Sequence, residues 1–413
     1  MTKKNKSVKN FPNSGDLGIP KLRFPEFGIE KWETKRLGEI ANFTKGKGIS
    51  KSDIDENGET ECIRYGELYT FYEEVISEIK SKTNTDISSL VLSEANDVII
   101  PASGETQIDI ATASCVLKHG VALGGDLNII KTKNNGVFLS YYLNSKKKLE
   151  IAKLSQGISV VHLYSSQLAL LNLKFPPLEE QNKLANFLSL LNSRIQTQKK
   201  IIEDLQITKK EISFKLFKEG FNSSESKKEN FQKLGDLTYI VNKKNKENLK
   251  LPVYSINNKK GFISQAEQFE GIDSDERGYD ISLYKIIEKE TFAYNPARIN
   301  VGSIGYSRNL ENIIISSLYV CFKTTDAVDD EFLFQYLRTD IFRKEVLRNV
   351  EGGVRDYLFY ENFSRIKINL PDLKEQIKIA KLLSKFDEKI TLENELLIQY
   401  ENQKKYLLQN LFV

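Results

Sequence analysis

A chain of 413 residues with 40% hydrophobic side chains is long enough for two or three domains and apolar enough to fill their cores, which excludes global disorder. No run of about 18 apolar residues occurs, so no membrane span is expected, and the charged start Met1-Thr2-Lys3-Lys4-Asn5-Lys6 leads into no apolar stretch, so no secretory signal is expected. A formal charge of +4 permits a nucleic-acid partner without arguing for one, and three scattered cysteines, Cys62, Cys115 and Cys321, fit buried thiols in a reducing cytoplasm.

Along the chain, Lys3, Lys4 and Lys6 fall in an expected tail over residues 1–16. Short apolar runs broken by turn residues follow: Asp97-Val98-Ile99-Ile100-Pro101-Ala102-Ser103-Gly104 and Leu127-Asn128-Ile129-Ile130 read as strands, with a helical stretch near 137–151. Residues Leu178 to Glu219 then contain neither Gly nor Pro, start just after proline and carry acidic residues in their first turn, which predicts one long helix. The second half repeats the order. Asn312-Ile313-Ile314-Ile315 and Leu318-Tyr319-Val320-Cys321-Phe322 read as strands, 330–348 as helical, and Asp372 to Val413 as a second long helix.

The repetition is literal. Pro176-Pro177-Leu178-Glu179-Glu180-Gln181-Asn182-Lys183-Leu184-Ala185 answers Pro371-Asp372-Leu373-Lys374-Glu375-Gln376-Ile377-Lys378-Ile379-Ala380 at an offset of 195. That offset reaches back to Gly157 and Gly352 and forward to Leu216-Phe217 and Leu411-Phe412. Lys35-Arg36-Leu37-Gly38-Glu39-Ile40 likewise answers Gln232-Lys233-Leu234-Gly235-Asp236-Leu237. The expected fold class is α+β, in two pseudo-symmetric halves, each a mixed α/β globule followed by a long helix.

Steps of four and three place Leu184, Leu188, Leu191, Ile195, Ile202, Leu205, Ile212 and Leu216 on one seam of the first helix. Ile379, Leu383, Phe386, Ile390, Leu397, Tyr400, Leu407 and Leu411 do the same on the second. Gln198 and Lys209 interrupt the first seam, and Glu393 and Lys404 the second, at matching places. A 3.5-residue seam on helices of roughly 60 Å asks for a partner helix, and the other half supplies it as an antiparallel coiled coil. With the dyad between the Ile202 and Leu205 layers, Gln198 is expected to face Lys404, and Lys209 to face Glu393. Such a spacer could hold two readers against DNA faces one helical turn (about 34 Å) apart, or simply join a homodimer or scaffold.

Two diverging globules alternate here with two matching helices that begin Pro-Leu-Glu-Glu-Gln and Pro-Asp-Leu-Lys-Glu-Gln. Each is led by a short apolar strand, Leu171-Asn172-Leu173-Lys174-Phe175 or Ile366-Lys367-Ile368-Asn369-Leu370. With the opening Lys21-Leu22-Arg23-Phe24-Pro25-Glu26-Phe27, Trp32, and Gly352-Gly353-Val354-Arg355-Asp356-Tyr357-Leu358, the whole chain resembles the specificity subunit of type I restriction-modification systems. In the first half, Gln156-Gly157-Ile158-Ser159-Val160 replaces the Gly-Gly-Val-Arg run. The resemblance implies a target recognition domain over 17–175, a spacer helix over 176–220, a second recognition domain over 221–370 and a second spacer helix over 371–413. It also implies double-stranded DNA as ligand, read as two different half-sites across a gap. Implied partners are two DNA adenine methyltransferase subunits on the paired helices, with helicase-nuclease restriction subunits outside them. A stand-alone coiled-coil DNA-binding regulator is the alternative.

No catalytic residue, cofactor or metal site is expected in this chain. The glycine-rich loop and Asn/Asp-Pro-Pro-aromatic motif of a methyltransferase are missing, and Asn295-Pro296-Ala297-Arg298 does not replace them. Pro371-Asp372 with Asp387-Glu388-Lys389 matches a loose nuclease pattern but lies along one helix, and His119 and His162 are not at ligand spacing with any cysteine. DNA contact is expected from a basic loop in each half: Lys45, Lys47 and Lys51, where Gly46 and Gly48 would let backbone approach a phosphate, and Lys243, Lys244 and Lys246. Ser103 and Gln107 in the first half, and Arg298, Asn300, Arg308 and Arg355 in the second, are the expected polar readers.

Overall fold

The computed structural model describes residues 18–157, 160–219, 230–268, 278, 280–350 and 357–413. They form two compact units, Met1–Gln198 with Leu396–Val413, and Lys199–Glu395. The long helices run Leu178–Glu219 and Leu373–Asn410. Each unit therefore holds one α/β globule, the start of one long helix and the end of the other. Among the described residues, no helix is long and apolar enough to cross a membrane.

In the first unit, the five residues of Asp97–Pro101 are all buried and rich in β-branched side chains, which suits the middle of a sheet covered on both faces. The sheet order is Ala41–Lys45, Leu127–Thr132, Asp97–Pro101, Ser114–Val116, Val75–Ile76, with only the last pair parallel. A smaller sheet pairs Thr60–Ile63 with Ser81–Thr83 and Ala122–Leu123. The helix Gly136–Tyr142 is buried along its whole length, and a π-helical stretch links it to Lys148–Leu154. The second unit has two four-stranded sheets. One runs Thr238–Ile240, Val320–Thr324, Phe292–Tyr294, Ile304–Tyr306 and the other Gly261–Ser264, Val253–Asn257, Ile313–Ile315, Lys285–Ile287.

The repeated residues build the same frame in both units. Glu33–Arg36 pairs with Asn172–Phe175, and Phe231–Lys233 with Lys367–Asn369, both antiparallel. Directly after, Leu37 donates to the Leu171 carbonyl at 2.9 Å and Leu234 to the Ile366 carbonyl at 2.8 Å. The glycine in each repeat is there for close approach. A Cβ on Gly38 would meet Ala169 at 3.0 Å, and one on Gly235 would meet Ser364 at 2.8 Å.

Each repeated Gln at the start of a long helix is a buried staple. The Gln181 amide donates to the Pro176 carbonyl (2.9 Å) and Asn134 (3.1 Å) and accepts from the Asn135 N–H (3.1 Å). Gln376 donates to the Pro371 and Ala327 carbonyls and accepts from the Asp329 N–H. Asn135 and Asp329 are themselves the N-caps of the buried helices that follow, so each Gln ties a long helix to its globule. Before it, buried Glu180 takes a bidentate pair of bonds from Arg23, at 2.8 and 2.6 Å.

The helix ends are buried too. Phe412 stacks on Tyr142 (5.6 Å, 5°) and touches Trp32 and Phe138, while Phe217 packs on Phe332 and Tyr336. The carbonyls that the second long helix leaves unpaired at its end are met inside the first unit. Leu22 donates to Asn410 and Lys146 to Gln409, each at 2.9 Å.

Within each unit the helix segments run antiparallel, and every seam side chain is buried or half-buried. The expected polar pairing is corrected. Lys209 bonds Asp387 (2.7 Å), and Lys404 bonds Asn192 and Glu74 (2.9 Å each). Arg194 lies over the Tyr400 ring at 4.9 Å. Lys209 therefore sits beside the Phe386–Asp387 turn, about one heptad from Glu393, and Lys404 beside Leu191–Asn192, about one heptad from Gln198. A heptad shift keeps apolar residues against apolar ones. The carboxylates and amide beside the seam decide between registers.

Candidate nucleic-acid interface

The central strand of each unit runs out into a loop that carries expected polar readers, and a second segment is hydrogen-bonded against that loop. In the first unit, Ser103–Gly104 pairs with Val161–His162, and Leu163 donates to the Ala102 carbonyl at 2.9 Å. Gln156 and His162 exchange backbone bonds of 2.9 and 2.7 Å, and the buried Asn128 amide holds the Leu163 carbonyl. Strand alternation sends Val161 and Leu163 into the core and His162 and Tyr164 to solvent. The two exposed rings face each other, with centroids 6.5 Å apart at 23°. Gln107 is exposed at the start of the short helix Gln107–Ile110, which Thr106 caps.

The second unit repeats this arrangement with other side chains. After Phe292–Tyr294 the chain turns through Asn295, whose side chain accepts from Ala297 and whose carbonyl accepts from Arg298, both at 3.0 Å. Arg298 is exposed and Asn300 half-buried on the turn Ile299–Val301. Leu358 donates to the Pro296 carbonyl at 3.1 Å and is buried between Tyr357 and Phe359, whose rings stack at 5.7 Å and 4°. Leu163 and Leu358, His162 and Tyr357, and Tyr164 and Phe359 are each 195 residues apart.

The structure thus brings the loop of Gln107, and that of Arg298 and Asn300, against an aromatic segment. Sequence reasoning named His162 and Tyr357 singly but missed Tyr164, Phe359 and the pairing of the rings, although their alternation and the constant offset could have found it. Ser103 needs correction as a reader: it is only 6% exposed and lies in the strand pair. So does Arg308. Its guanidinium binds Glu331 in bidentate fashion (3.0 and 2.9 Å) and lies over Phe334 and Tyr306, at a left-handed φ of 48°. Arg355 lies outside the described residues.

Both basic loops reach solvent. Lys45, Lys47 and Lys51 are exposed and in no ion pair among the described residues. Gly46 has a packing role of its own: a Cβ there would lie 1.9 Å from the Gly124 carbonyl. Gly48 has a φ of 65°, and its carbonyl accepts from Gly125 at 2.6 Å. In the other loop Lys243, Lys244 and Lys246 are exposed around buried Asn245, whose amide bonds Leu249 and Ile281 and so fixes the loop. Lys243 also pairs with Glu288 at 2.8 Å, and its hydrogen bond and charge hold that carboxyl below the usual range.

The carboxylates of the nuclease-like pattern have other work. Asp372 accepts from the Glu375 N–H in the first turn of its helix, and Asp387 is bound by Lys209 and Gln335. Among the described residues, no three His, Cys, Asp or Glu side chains are grouped to hold a metal. All three cysteines are buried, and burial pushes the Cys62 thiol up to about 11, Cys115 to about 12 and Cys321 to about 11.

Residues 29–206 and 226–402 each match the family described as "Type I restriction modification DNA specificity domain". The type I restriction enzyme MjaVIII specificity subunit of Methanocaldococcus jannaschii is 26% identical over 436 residues, covering 97% of this chain and 94% of its own. The crystal structure of a type I restriction-modification S subunit from M. genitalium superposes with a TM-score of 0.65 at 17% identity, covering 96% of this chain and 99% of that one. A chain from a structural study of complex assembly in a type I R-M system gives 0.52 at 15% identity, covering 91% and 96%. The two family matches fall on the two halves that the repeats and the folded frames define, and the chain belongs to the type I restriction-modification specificity family, with two copies of its DNA specificity domain.

Proposed function

We propose that this chain reads a split, asymmetric double-stranded DNA target, one half-site per specificity domain, and directs methyltransferase and restriction subunits to it without catalysing a reaction itself. The observation that carries this reading is one frame used twice with different chemistry on its edge. The loop after the central strand offers Gln107 in one unit and Arg298 with Asn300 in the other, so the frame is common while the hydrogen-bonding groups differ. The exposed lysines 45, 47, 51, 244 and 246 supply the phosphate-neutralising charge that duplex binding requires. Partner docking is supported by apolar side chains left in solvent on the long helices. Leu190 is 71% exposed, and Leu392, Ile398 and Tyr406 are each more than half exposed.

The test is methylation mapping. The purified chain should show no methyl transfer, cleavage or ATP hydrolysis, and together with its methyltransferase it should direct N6-adenine methylation to a split site. Exchanging residues 229–370 for those of a relative should change one half-site and keep the other. Methyl transfer by the chain alone, or a simultaneous change of both half-sites, would overturn the proposal.

A further inference from the structure

We infer that the stacked ring pairs His162–Tyr164 and Tyr357–Phe359 are DNA-contacting platforms, one per specificity domain, that pack on the sugar edge of the duplex beside the base-reading loops. This rests on the proposed function and gives it a division of labour that the loops alone do not. The rings are carried on an anchored backbone, with His162 exposed and Tyr357 half-buried. Leu163 and Leu358, at 1% and 0% exposure, anchor the backbone between them, while Tyr164 and Phe359 stand 47% and 50% exposed.

Holding large rings in water is unfavourable, and a folded surface keeps few such pairs without a use. Here the arrangement recurs at the same offset in both repeats, although other exposed rings do not. Phe214 has Gln409 at the equivalent place, and Tyr406 has Glu211. What recurs in both domains serves what both half-sites share. The two half-sites differ in bases and share deoxyribose and phosphate, so the rings fit the shared part and the diverged Gln107, Arg298 and Asn300 fit the bases. The chemistry suits that surface: ring faces pack on apolar sugar, and the imidazole N–H and the tyrosine hydroxyls can donate to phosphate from the rim.

The experiment uses the full chain and a mixed-sequence duplex, followed by fluorescence anisotropy across a salt series. His162→Ala with Tyr164→Ala, and separately Tyr357→Ala with Phe359→Ala, should each weaken binding about tenfold. The plot of log affinity against log salt should keep its slope, because ring faces and uncharged donors neutralise no phosphate and so release no counterions, whereas Lys45→Ala with Lys47→Ala should flatten it. Phe359→Trp guards against misfolding of the alanine variants: it keeps a ring in place, and its emission should be quenched on adding duplex. Unchanged affinity in both double variants together with unmoved tryptophan emission would overturn the inference. If the unaltered chain bound no duplex, the proposed function would fall instead.

Discussion

Removing the Gln181 amide would leave the Pro176 carbonyl and the Asn135 N–H without their partner in a place that is 2% exposed. An orphaned buried polar group costs about 1–3 kcal/mol. Gln181→Ala should therefore destabilise the first unit by about 2–3 kcal/mol in chemical denaturation, and Gln376→Ala the second by a similar amount. A loss below about 0.5 kcal/mol would mean that water or a neighbour replaces the amide. The residues that carry the family resemblance are largely of this structural kind. Arg23 holds Glu180, Trp32 packs on Phe412, and the two Gln side chains fasten the long helices to their globules.

At the scale of the helix, the polar interruptions of the seam act as latches. Burial raises the Asp387 carboxyl, but the charge and hydrogen bond of Lys209, with the Gln335 amide and Arg338, overcome this and hold it below its usual value. A carboxyl depressed in the folded state contributes stability above its unfolded value of about 3.9 and loses it as pH falls through the folded value. Asp387→Asn should cost about 1–3 kcal/mol at neutral pH, and its deficit against the unaltered chain should shrink as pH drops below about 4. A deficit independent of pH would show that the pair carries no charge-dependent stability. The helices and their seam are legible in sequence because a 3.5-residue spacing of apolar side chains is a local property. Register is not, because every heptad shift satisfies the same pattern. Asn192 and Asp387, which select it, stand beside the seam and match at the offset of 195, a relation visible only once both lysines are placed. The ring pairs were hidden for another reason: the strand Val161–His162 is only two residues long, too short for a periodic signal.

For the whole molecule, the single tryptophan is a built-in reporter of how the chain closes. Trp32 touches Phe138, Tyr142 and Phe412, the last 380 residues further along the chain. Phe412→Ala removes a buried ring and should cost about 3–5 kcal/mol. It should lower the transition seen by Trp32 fluorescence while leaving the transition of the second unit in place. The matching Phe217→Ala should do the reverse, disturbing the packing on Phe332 and Tyr336 and leaving Trp32 emission unchanged. If either substitution moved both transitions equally, the two units would unfold as one.

The bond from Leu22 to the Asn410 carbonyl has a topological consequence. The chain leaves the first unit along one helix and comes back to it along the other, so its order of connection is a ring opened at one point. Rings can be opened elsewhere, and domains whose termini meet commonly tolerate circular permutation. A permutant that joins Val413 to Gly18 by a short flexible linker, and begins instead between Glu219 and Asn230, should fold with both units intact. On the proposed function it should also direct methylation to the same split sequence as the unaltered chain.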